Sequence, residues 1–564
     1  MSADFPTALI LVLGALAVPL LHGRARAAYM LALPALAFAH LLAVPVGEYA
    51  RVGFLDHTLV LMRVDRLSLA FGYIFTIAAL LNVVYSLHVE DTVQQVSSLA
   101  YAGSALGAVF AGDLITLFIY WELTAVTSVV LVWARRTERA RRAALRYLLV
   151  QLASGMLLLA GAVVYYRATG SIRFGMLGLG VPGGWLILLA FGIKCAFPLL
   201  HNWLQDAYPE ATVTGTVWLS AFTTKLAVYA LARGFPGTEM LIWIGALMTA
   251  FPIFYAVIEN DLRRVLAYSL NNQLGFMVVG IGVGTELALN GTVAHAFSHI
   301  LYKALLFMSM GAVLFRTGTV NGSQLGGLYK SMPWTAGFCI VGAASISAFP
   351  LFSGFVSKAL ILSAVAEEGH VVTWLVLLFA SAGVFHHSGI KIPFFAFFAH
   401  DSGIRCAEAP RNMLVAMGLT AALCIGIGVY PGPLYGLLPH PVSFEPYTAA
   451  HVVTQLQLLL FSALAFAVLM RTGIYPPELR AINLDSDWLY RRLGTAIAGA
   501  AAEGINAMRL AVAEAVLRAG TPVARAVRDL HGNRGLLGRT WSTRDMALWM
   551  VALLAAYLLV YYVV

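Results

Sequence analysis

Apolar runs of about 20 residues, the length that crosses a bilayer, recur along nearly the whole chain. They fall near 7–22, 27–46, 67–87, 94–111, 113–133, 143–167, 185–204, 211–233, 238–258, 263–284, 289–316, 334–366, 372–400, 411–430, 453–470 and 546–564. The pattern predicts an all-α polytopic membrane protein with about sixteen transmembrane helices. The first run lacks a basic flank before it and a small-residue cleavage site after it, so it reads as a retained helix rather than a signal peptide.

The stretch 483–545 breaks this pattern. It opens with Asn483, Leu484, Asp485, Ser486, Asp487 and Trp488 and continues as an Ala-rich segment over 496–530. There Glu503, Arg509, Glu514, Arg518, Arg525 and Arg528 punctuate Ile505, Met508, Leu510, Val512, Val516 and Leu517. This predicts an amphipathic helix of ~35 residues, roughly 50 Å long, too polar to span and kinked at Thr521-Pro522. It is expected on the cytoplasmic side, along the interface or along other helices. The alternative reading is a disordered linker.

Composition agrees with a membrane solvent. Only 11% of the 564 residues are Asp, Glu, Lys or Arg and 60% are hydrophobic, against about 25% charged in soluble domains. A soluble enzyme is excluded. The net charge of +9 is read as arginine on cytoplasmic loops and not as a nucleic-acid footprint. Cys195, Cys339, Cys406 and Cys424 lie far apart without ligand spacing, which argues against disulfides, zinc and iron–sulfur sites. No cofactor and no metal is expected in this chain.

Loop charge sets an orientation. The run Arg135, Arg136, Arg139, Arg141, Arg142 is expected on the cytoplasmic side. Counting spans from there places Arg24, Arg26, Arg263, Arg264, Arg316, Lys330, Arg405 and Arg411 on the same side. The 281–290 and 431–450 loops, which lack Lys and Arg, fall outside, as do both termini. Arg51, Arg63 and Arg66 on one outer loop dilute the rule.

The lysines are distributed differently. There are six among 36 basic residues, and the other thirty are arginine. Lys330 is in a loop, whereas Lys194, Lys225, Lys303, Lys358 and Lys391 stand inside apolar runs. A charge at mid-membrane costs about 2.5–3.5 kcal/mol on insertion scales and marks function by default. Arginine keeps its proton in a protein, whereas a buried lysine can release one. Glu122 sits mid-span in the string Tyr120-Trp121-Glu122-Leu123. One Glu–Lys pair is explained by structure alone, but the lysines outnumber the carboxylates, so some must be neutral part of the time or face water. His295, His299 and Lys303 recur at i, i+4 and i+8 and share a helix face. A proton relay fits this row better than metal or haem, because a lysine one turn away repels a cation. Satisfied core histidines are the alternative. Pro198 after Lys194, and Pro393 after His386, His387, Gly389 and Lys391, predict two broken helices, as in ion pathways. His201, Asp206, Lys358, His386 and His387 are possible accessory residues, and Asp113 and Glu122 offer oxygen to Na+.

At these residues the chain resembles the antiporter-like subunits of respiratory complex I, membrane-bound hydrogenases and Mrp-type Na+/H+ antiporters. The resembling strings are Trp121-Glu122-Leu123, HNWLQDAYPEATVTGTVWLSAFTTKLAVYAL at 201–231, LRRVLAYSLNNQLGFM at 262–277 and HAFSHILYKALLF at 295–307. The wording of 201–231 is most similar to the D-type component of Mrp antiporters. The resemblance implies two inverted five-helix repeats, each a half-channel, joined by a central charged axis. On it Glu122 faces a neighbouring subunit, Lys194 belongs to the first broken helix, Lys225 and Lys303 connect, and Lys391 belongs to the second broken helix. The implied organisation is N-terminal helices in 1–93, repeats in 94–235 and 236–410, core helices in 411–482, a lateral helix in 483–545 and a terminal anchor in 546–564. Gln205 stands where the family often has proline, and Lys391 stands where the M-type components have glutamate.

The expected function is proton translocation coupled to cation antiport in a multisubunit Mrp-type complex of the cell membrane. The alternative is a proton-pumping subunit of a redox-driven complex, whose redox centres would sit in partners, since this chain has no nucleotide-binding loop. A structural scaffold is the third reading. Expected partners are other membrane subunits, H+, Na+ and lipid, with no nucleic acid.

Overall fold

The computed structural model describes residues 4–479, 481 and 483–563. It forms two units, Met1–Asn483 and Leu484–Val564. The first unit opens with α1 (Thr7–Ala17), α2 (Gly23–Ala43) and an antiparallel hairpin of β1 (Gly47–Phe54) and β2 (His57–Val64). It continues through α3 (Arg66–Ser86), α4 (Thr92–Phe110), α5 (Leu114–Trp133), α6 (Glu138–Thr169), α7 (Gly184–Lys194), α8 (Asn202–Ala207), α9 (Gly215–Ala221) and α10 (Thr223–Gly234). Then come α11 (Met240–Ile258), α12 (Leu262–Val283), α13 (Glu286–Thr317), α14 (Pro333–Ile346), α15 (Ser353–Glu367) and α16 (Val371–Val384). Helices Arg411–Val429 and Ala449–Thr472 close this unit.

Among the described residues ten helices are long and apolar enough to cross a membrane, which makes this a multi-pass membrane protein. The remaining six expected spans fall on helices that are short, polar or interrupted. The spans 94–111 and 263–284 are full helices, α4 and α12, but Gln94, Gln95, Asn271, Asn272 and Gln273 on them are polar and buried. They are wrapped by protein, so their composition need not match lipid.

Helices begin where short polar side chains take up the free N–H groups of the first turn. Asp65 and Ser68 form a reciprocal capping box on α3, and Asp91, Asp113 and Asp261 cap α4, α5 and α12. α6 and α13 match in detail: each has 32 residues, starts on a threonine cap (Thr137, Thr285) and ends at a left-handed glycine (Gly170, Gly318). α4 and α11 both have 19 residues. Leu114 N–H donates to Ile172 C=O at 2.8 Å and Phe174 N–H to Gly112 C=O at 3.0 Å. The equivalent pairs, Leu262 to Val320 and Gly322 to Asn260, are 3.0 and 2.9 Å.

These two bridges mark different faces. On one, Arg139 pairs with Glu210, and Arg263 donates to the Ala211 and Thr212 carbonyls beside it. Asp261 bridges to Asn321 there. On the other, Arg173 and Asp113 meet the β-hairpin through Glu48 and Val60, and Asn290 holds the His440 carbonyl. The loop carrying Arg51 and Arg63 is thus a hairpin, a feature the apolar-run reading passes over.

The interruptions correct two expectations. α7 stops at Lys194 as expected, and the chain crosses Cys195 to His201 before α8. The second break lies not at Lys391 but inside the span expected as one helix over 334–366, between α14 and α15. Both breaks carry the string Ala-Phe-Pro-Leu, at 196–199 and 348–351. Ala196 and Leu199 have φ of 61° and 68°, and Ala348 and Leu351 have 57° and 73°. Phe197 and Phe349 each donate to a carbonyl five residues back, Gly192 and Ala344, at 3.0 Å. Proline cannot donate the next hydrogen bond and clashes with the previous turn, so the helix ends there. By contrast, α16 runs on through Lys391 and Pro393 to Phe398, wound as wide π-turns at Phe385–Ile390 and Phe394–Phe398. Extra residues per turn absorb the proline without a break. Gly389 is required in that wide turn, since a Cβ there would collide with Ser347 Oγ at the α14 break.

In the second unit, Leu489–Gly494 forms a π-turn that leads into Thr495–His531, a helix of 37 residues, about 55 Å at 1.5 Å per residue. It runs through Pro522 without ending. Thr543–Val563 follows as an apolar helix of spanning length.

A left-handed non-glycine residue is strained by roughly 1–2 kcal/mol. Ala196→Gly or Ala348→Gly is therefore expected to leave the detergent-solubilised protein as stable or more stable, by up to about 1 kcal/mol after glycine's entropic cost. Thermal unfolding of the purified variants measures this, and a clear loss in melting temperature contradicts the strain assignment.

Candidate functional site

All five lysines of the apolar runs are buried, and Lys330 is exposed. Lys194, the last residue of α7, points its Nζ at α5, where it donates to the Trp121 carbonyl at 2.6 Å and Thr124 Oγ1 at 2.8 Å. The ammonium also lies 4.4 Å from the centre of the Trp121 ring, a cation–π contact. Trp121 is held in turn by Ser154, whose hydroxyl donates to Ala190 C=O. Glu122 is half-buried, with Oε1 packed against Gly155 and accepting no hydrogen bond. Its charge reaches Lys194, but Thr124 and the carbonyl are the direct partners.

Lys225 occupies the joint between α9 and α10. The helix slips at Phe222, which frees the Ser220 carbonyl, and Lys225 Nζ donates to it at 2.6 Å. Tyr101 from α4 braces the joint, accepting from Thr223 N–H at 2.9 Å. Cys195 beside Lys194 lies within the field of Lys225, so the first two lysines are neighbours in space.

α13 carries His295, His299 and Lys303 in a row, all buried. The rings of His295 and His299 stack at 6.1 Å. His295 contacts Ser357 Oγ through Nδ1 at 3.1 Å and Gln273 Oε1 through Nε2 at 3.2 Å. Tyr302 donates to the same Gln273 oxygen at 3.1 Å. Lys303 Nζ donates to Ser269 Oγ at 2.8 Å and the Leu266 carbonyl at 3.3 Å. Lys358 on α15 reaches back to the free carbonyl of Ile346 at 3.0 Å, across the second break. His299 stands within the fields of Lys225, Lys303 and Lys358. Among the described residues neither of its nitrogens has a hydrogen-bond partner, nor do the side-chain amide of Asn271 and the hydroxyls of Ser298 and Thr224. Buried polar atoms of this kind call for water.

Lys391 lies further along, at the carbonyl end of α11. Its Nζ donates to Ala256, Val257 and Glu259 C=O at 3.2, 2.6 and 2.7 Å and pairs with Glu478 at 2.9 Å. His386 stacks on Tyr475, and His387 Nδ1 meets Ser388 Oγ at 2.9 Å.

The accessory residues divide. Lys358 and His387 join the central group, and Lys358, rather than Lys391, is the lysine of the second broken helix. Asp113 is engaged as a cap: its oxygens accept from Val60, Ile115 and Thr116 N–H and from Thr116 Oγ1. Asp206 takes a two-pronged contact from Arg146 at 2.6 and 2.9 Å, and His201 packs against Phe251. Outside the spans, Arg405 and Lys330 hold the exposed Asp401 carboxyl well below the usual carboxylate range. The sequence reading missed Thr124, Ser269, Asn271, Gln273, Tyr302, Ser357 and Glu478. The polar string Asn271-Asn272-Gln273 inside an apolar helix was the available signal for part of this set.

Comparison with known proteins bears on this arrangement. The sequence model of the NADH:quinone oxidoreductase/Mrp antiporter transmembrane family matches residues 111–385. The D-type component of the Na(+)/H(+) antiporter of Alkalihalophilus pseudofirmus is 33% identical over 358 residues, which cover 58% of this chain and 71% of that protein. Among solved structures, a chain of the Mrp complex from Dietzia sp. superposes with a TM-score of 0.75 at 23% identity, covering 99% of this chain and 62% of that one. A chain of the membrane-bound sulfane sulfur reductase, an archaeal respiratory membrane complex, gives 0.72 at 21% identity, covering 99% and 100%. The structural likenesses establish the fold, and the sequence matches establish that the chain belongs to the NADH:quinone oxidoreductase/Mrp antiporter membrane family.

Proposed function

We propose that this chain is the proton-translocating membrane subunit of a multisubunit Mrp-type cation/proton antiporter in the cell membrane, with Na+ or K+ as the coupled ion and other membrane subunits as partners. The arginine-rich face, with Arg139 and Arg263, is cytoplasmic, and both termini lie outside. The observation that carries the reading is a row of buried proton-binding side chains that ends on carbonyls, hydroxyls and unpartnered polar atoms. Lys225, Lys303 and Lys358 have no ion-pair partner among the described residues. Three ammonium groups within reach of one histidine repel one another, so the group works by sharing fewer protons than it has sites.

Protons load Lys194 and pass through Lys225 to the His295, His299, Lys303 and Lys358 cluster, with Lys391 at the far end. Glu122 is half-exposed, one residue from the carbonyl that holds Lys194, and responds to a neighbouring subunit. A carboxylate drawn closer favours the ammonium form and one drawn away favours release. The two matched breaks support paired half-channels, because each leaves carbonyl oxygens and a strained turn beside a lysine. The archaeal respiratory complex favours a second reading, a pumping subunit whose redox chemistry sits in partners. Mass spectrometry of co-purified subunits with an absorbance scan separates the two: flavin or iron–sulfur partners support the second.

Lys194→Ala and Lys194→Arg are both expected to reduce cation/proton exchange in vesicles at least ten-fold, since arginine keeps the charge but does not release it. Full transport by the arginine variant refutes the relay. Lys330→Ala, in an exposed pair with Asp401, should leave transport unchanged.

A second test concerns the seat of Glu122. A Cβ on Gly155 would overlap Glu122 Oε1, so Gly155→Ala must displace the carboxylate. Its transport is expected to fall to the level of Glu122→Gln, with little further loss in the double variant. Additive losses would separate the two residues.

A further inference from the structure

A buried chain of hydrogen bonds leaves the central cluster sideways. Lys303 Nζ donates to Ser269 Oγ at 2.8 Å, Ser388 Oγ lies 2.7 Å from Ser269 Oγ, and His387 Nδ1 is 2.9 Å from Ser388 Oγ. All four residues are buried. Ser388 and His387 sit in the first π-turn of the helix that extends α16, where the wide winding turns successive side chains toward α12. Such turns concentrate at functional sites. Lys391 follows His387 by four residues, on about the same face of a helix with i→i+5 bonding, and the charges of the two interact.

Lys391 is the one buried lysine with an ion-pair partner among the described residues. Glu478, on the connector after Ala449–Thr472, approaches it to 2.9 Å. Tyr475 on that connector stacks on His386 and packs on Phe466. Glu259 at the end of α11 accepts from Asn260 and Asp261 N–H and from Asn483, and Arg264 lies 3.9 Å away. This pair therefore stands beside the arginine-rich face, at the α11–α12 junction.

We propose that Ser269, Ser388 and His387 form the terminal branch of the proton path, running from Lys303 to a Lys391–Glu478 gate at the arginine-rich face. It rests on the translocation reading above. Ser388 Oγ donates to Ser269 Oγ at rest, so its hydroxyl first turns to His387 Nδ1. Lys303 then gives a proton to Ser269 Oγ, the Ser269 hydrogen passes to Ser388 Oγ, and the Ser388 hydrogen passes to His387 Nδ1. One N–H bond breaks on Lys303 and one forms on His387, with both hydroxyls restored. His387 Nε2, which has no hydrogen-bond partner among the described residues, then delivers a proton through water to Glu478. Protonation cancels the carboxylate charge and releases Lys391, which opens the gate. Proton release to the solvent restores the pair.

The test uses the full complex with its partner subunits, in inverted vesicles, with cation-dependent proton exchange read from a pH-sensitive dye. Ser388→Ala and Ser269→Ala remove one hydroxyl each and are expected to slow exchange at least ten-fold, and Ser388→Thr to restore it. Glu478→Gln, which keeps size but not charge, is expected to slow exchange similarly. Co-purification of partners confirms assembly of each variant. Exchange at the parent rate in Ser388→Ala, or failure of Ser388→Thr to recover it in an assembled complex, overturns the branch. Lys194→Ala runs alongside: if it is inactive while Ser388→Ala is not, only the branch falls. If Lys194→Ala transports normally, the main axis falls.

Discussion

An ammonium group in an apolar interior must be solvated by oxygen, and here the oxygen comes first from the backbone. Lys194, Lys225, Lys303, Lys358 and Lys391 each donate to at least one main-chain carbonyl. In a regular helix interior those carbonyls are taken by N–H groups four residues on. They become available where helices stop or slip: Ser220 at the Phe222 joint, Ile346 at the α14 break, and Ala256 to Glu259 at the end of α11. For Lys225 and Lys358 the interruptions therefore supply the oxygen that lets a lysine be buried without a matching carboxylate. Lys194 and Lys303 instead share the carbonyls of Trp121 and Leu266 inside unbroken helices and add a hydroxyl each, from Thr124 and Ser269. A carbonyl is a partial charge that holds an ammonium without locking it as a full ion pair does.

The same breaks explain how the polar core is arranged. Proline at 198 and 350 ends a helix short of spanning length, after 11 and 14 residues, and the left-handed alanines and leucines around it turn the chain sharply. Each break delivers a free carbonyl end, a lysine and a cluster of hydroxyls to one place. α13, buried along almost its whole length, threads between them and contributes the histidines. Lys194 ends the first half-helix, whereas Lys358 sits on the second half-helix and reaches back across the gap. Equivalent breaks thus hold their lysines from opposite sides.

Charge is apportioned by depth. At the faces, arginine meets carboxylates in exposed or half-exposed pairs such as Arg139–Glu210 and Arg405–Asp401. Inside, neutral hydroxyls and amides take over, and Lys391 meets Glu478 where it nears the arginine-rich face. That gradient separates groups that stay charged from groups able to exchange protons.

The membrane class, most helices and the identity of the buried lysines were legible in the sequence, because lipid solvation forces long apolar runs and makes any charge within them conspicuous. Local signals also marked Lys194, the His295–Lys303 row and the first break, since proline and i, i+4 spacing act over a few residues. The second break was read in the wrong helix: Pro350 and Pro393 look alike in one dimension, and only packing decided that one ends a helix and the other is absorbed by a π-turn. The hairpin over 47–64, the capping role of Asp113 and the partners Thr124, Ser269, Gln273 and Glu478 were likewise settled by tertiary structure. Each depends on what a distant segment brings within about 3 Å, the reach of a hydrogen bond. Residues that dissolve badly in lipid are named by the sequence; which oxygen answers them is a matter of the fold.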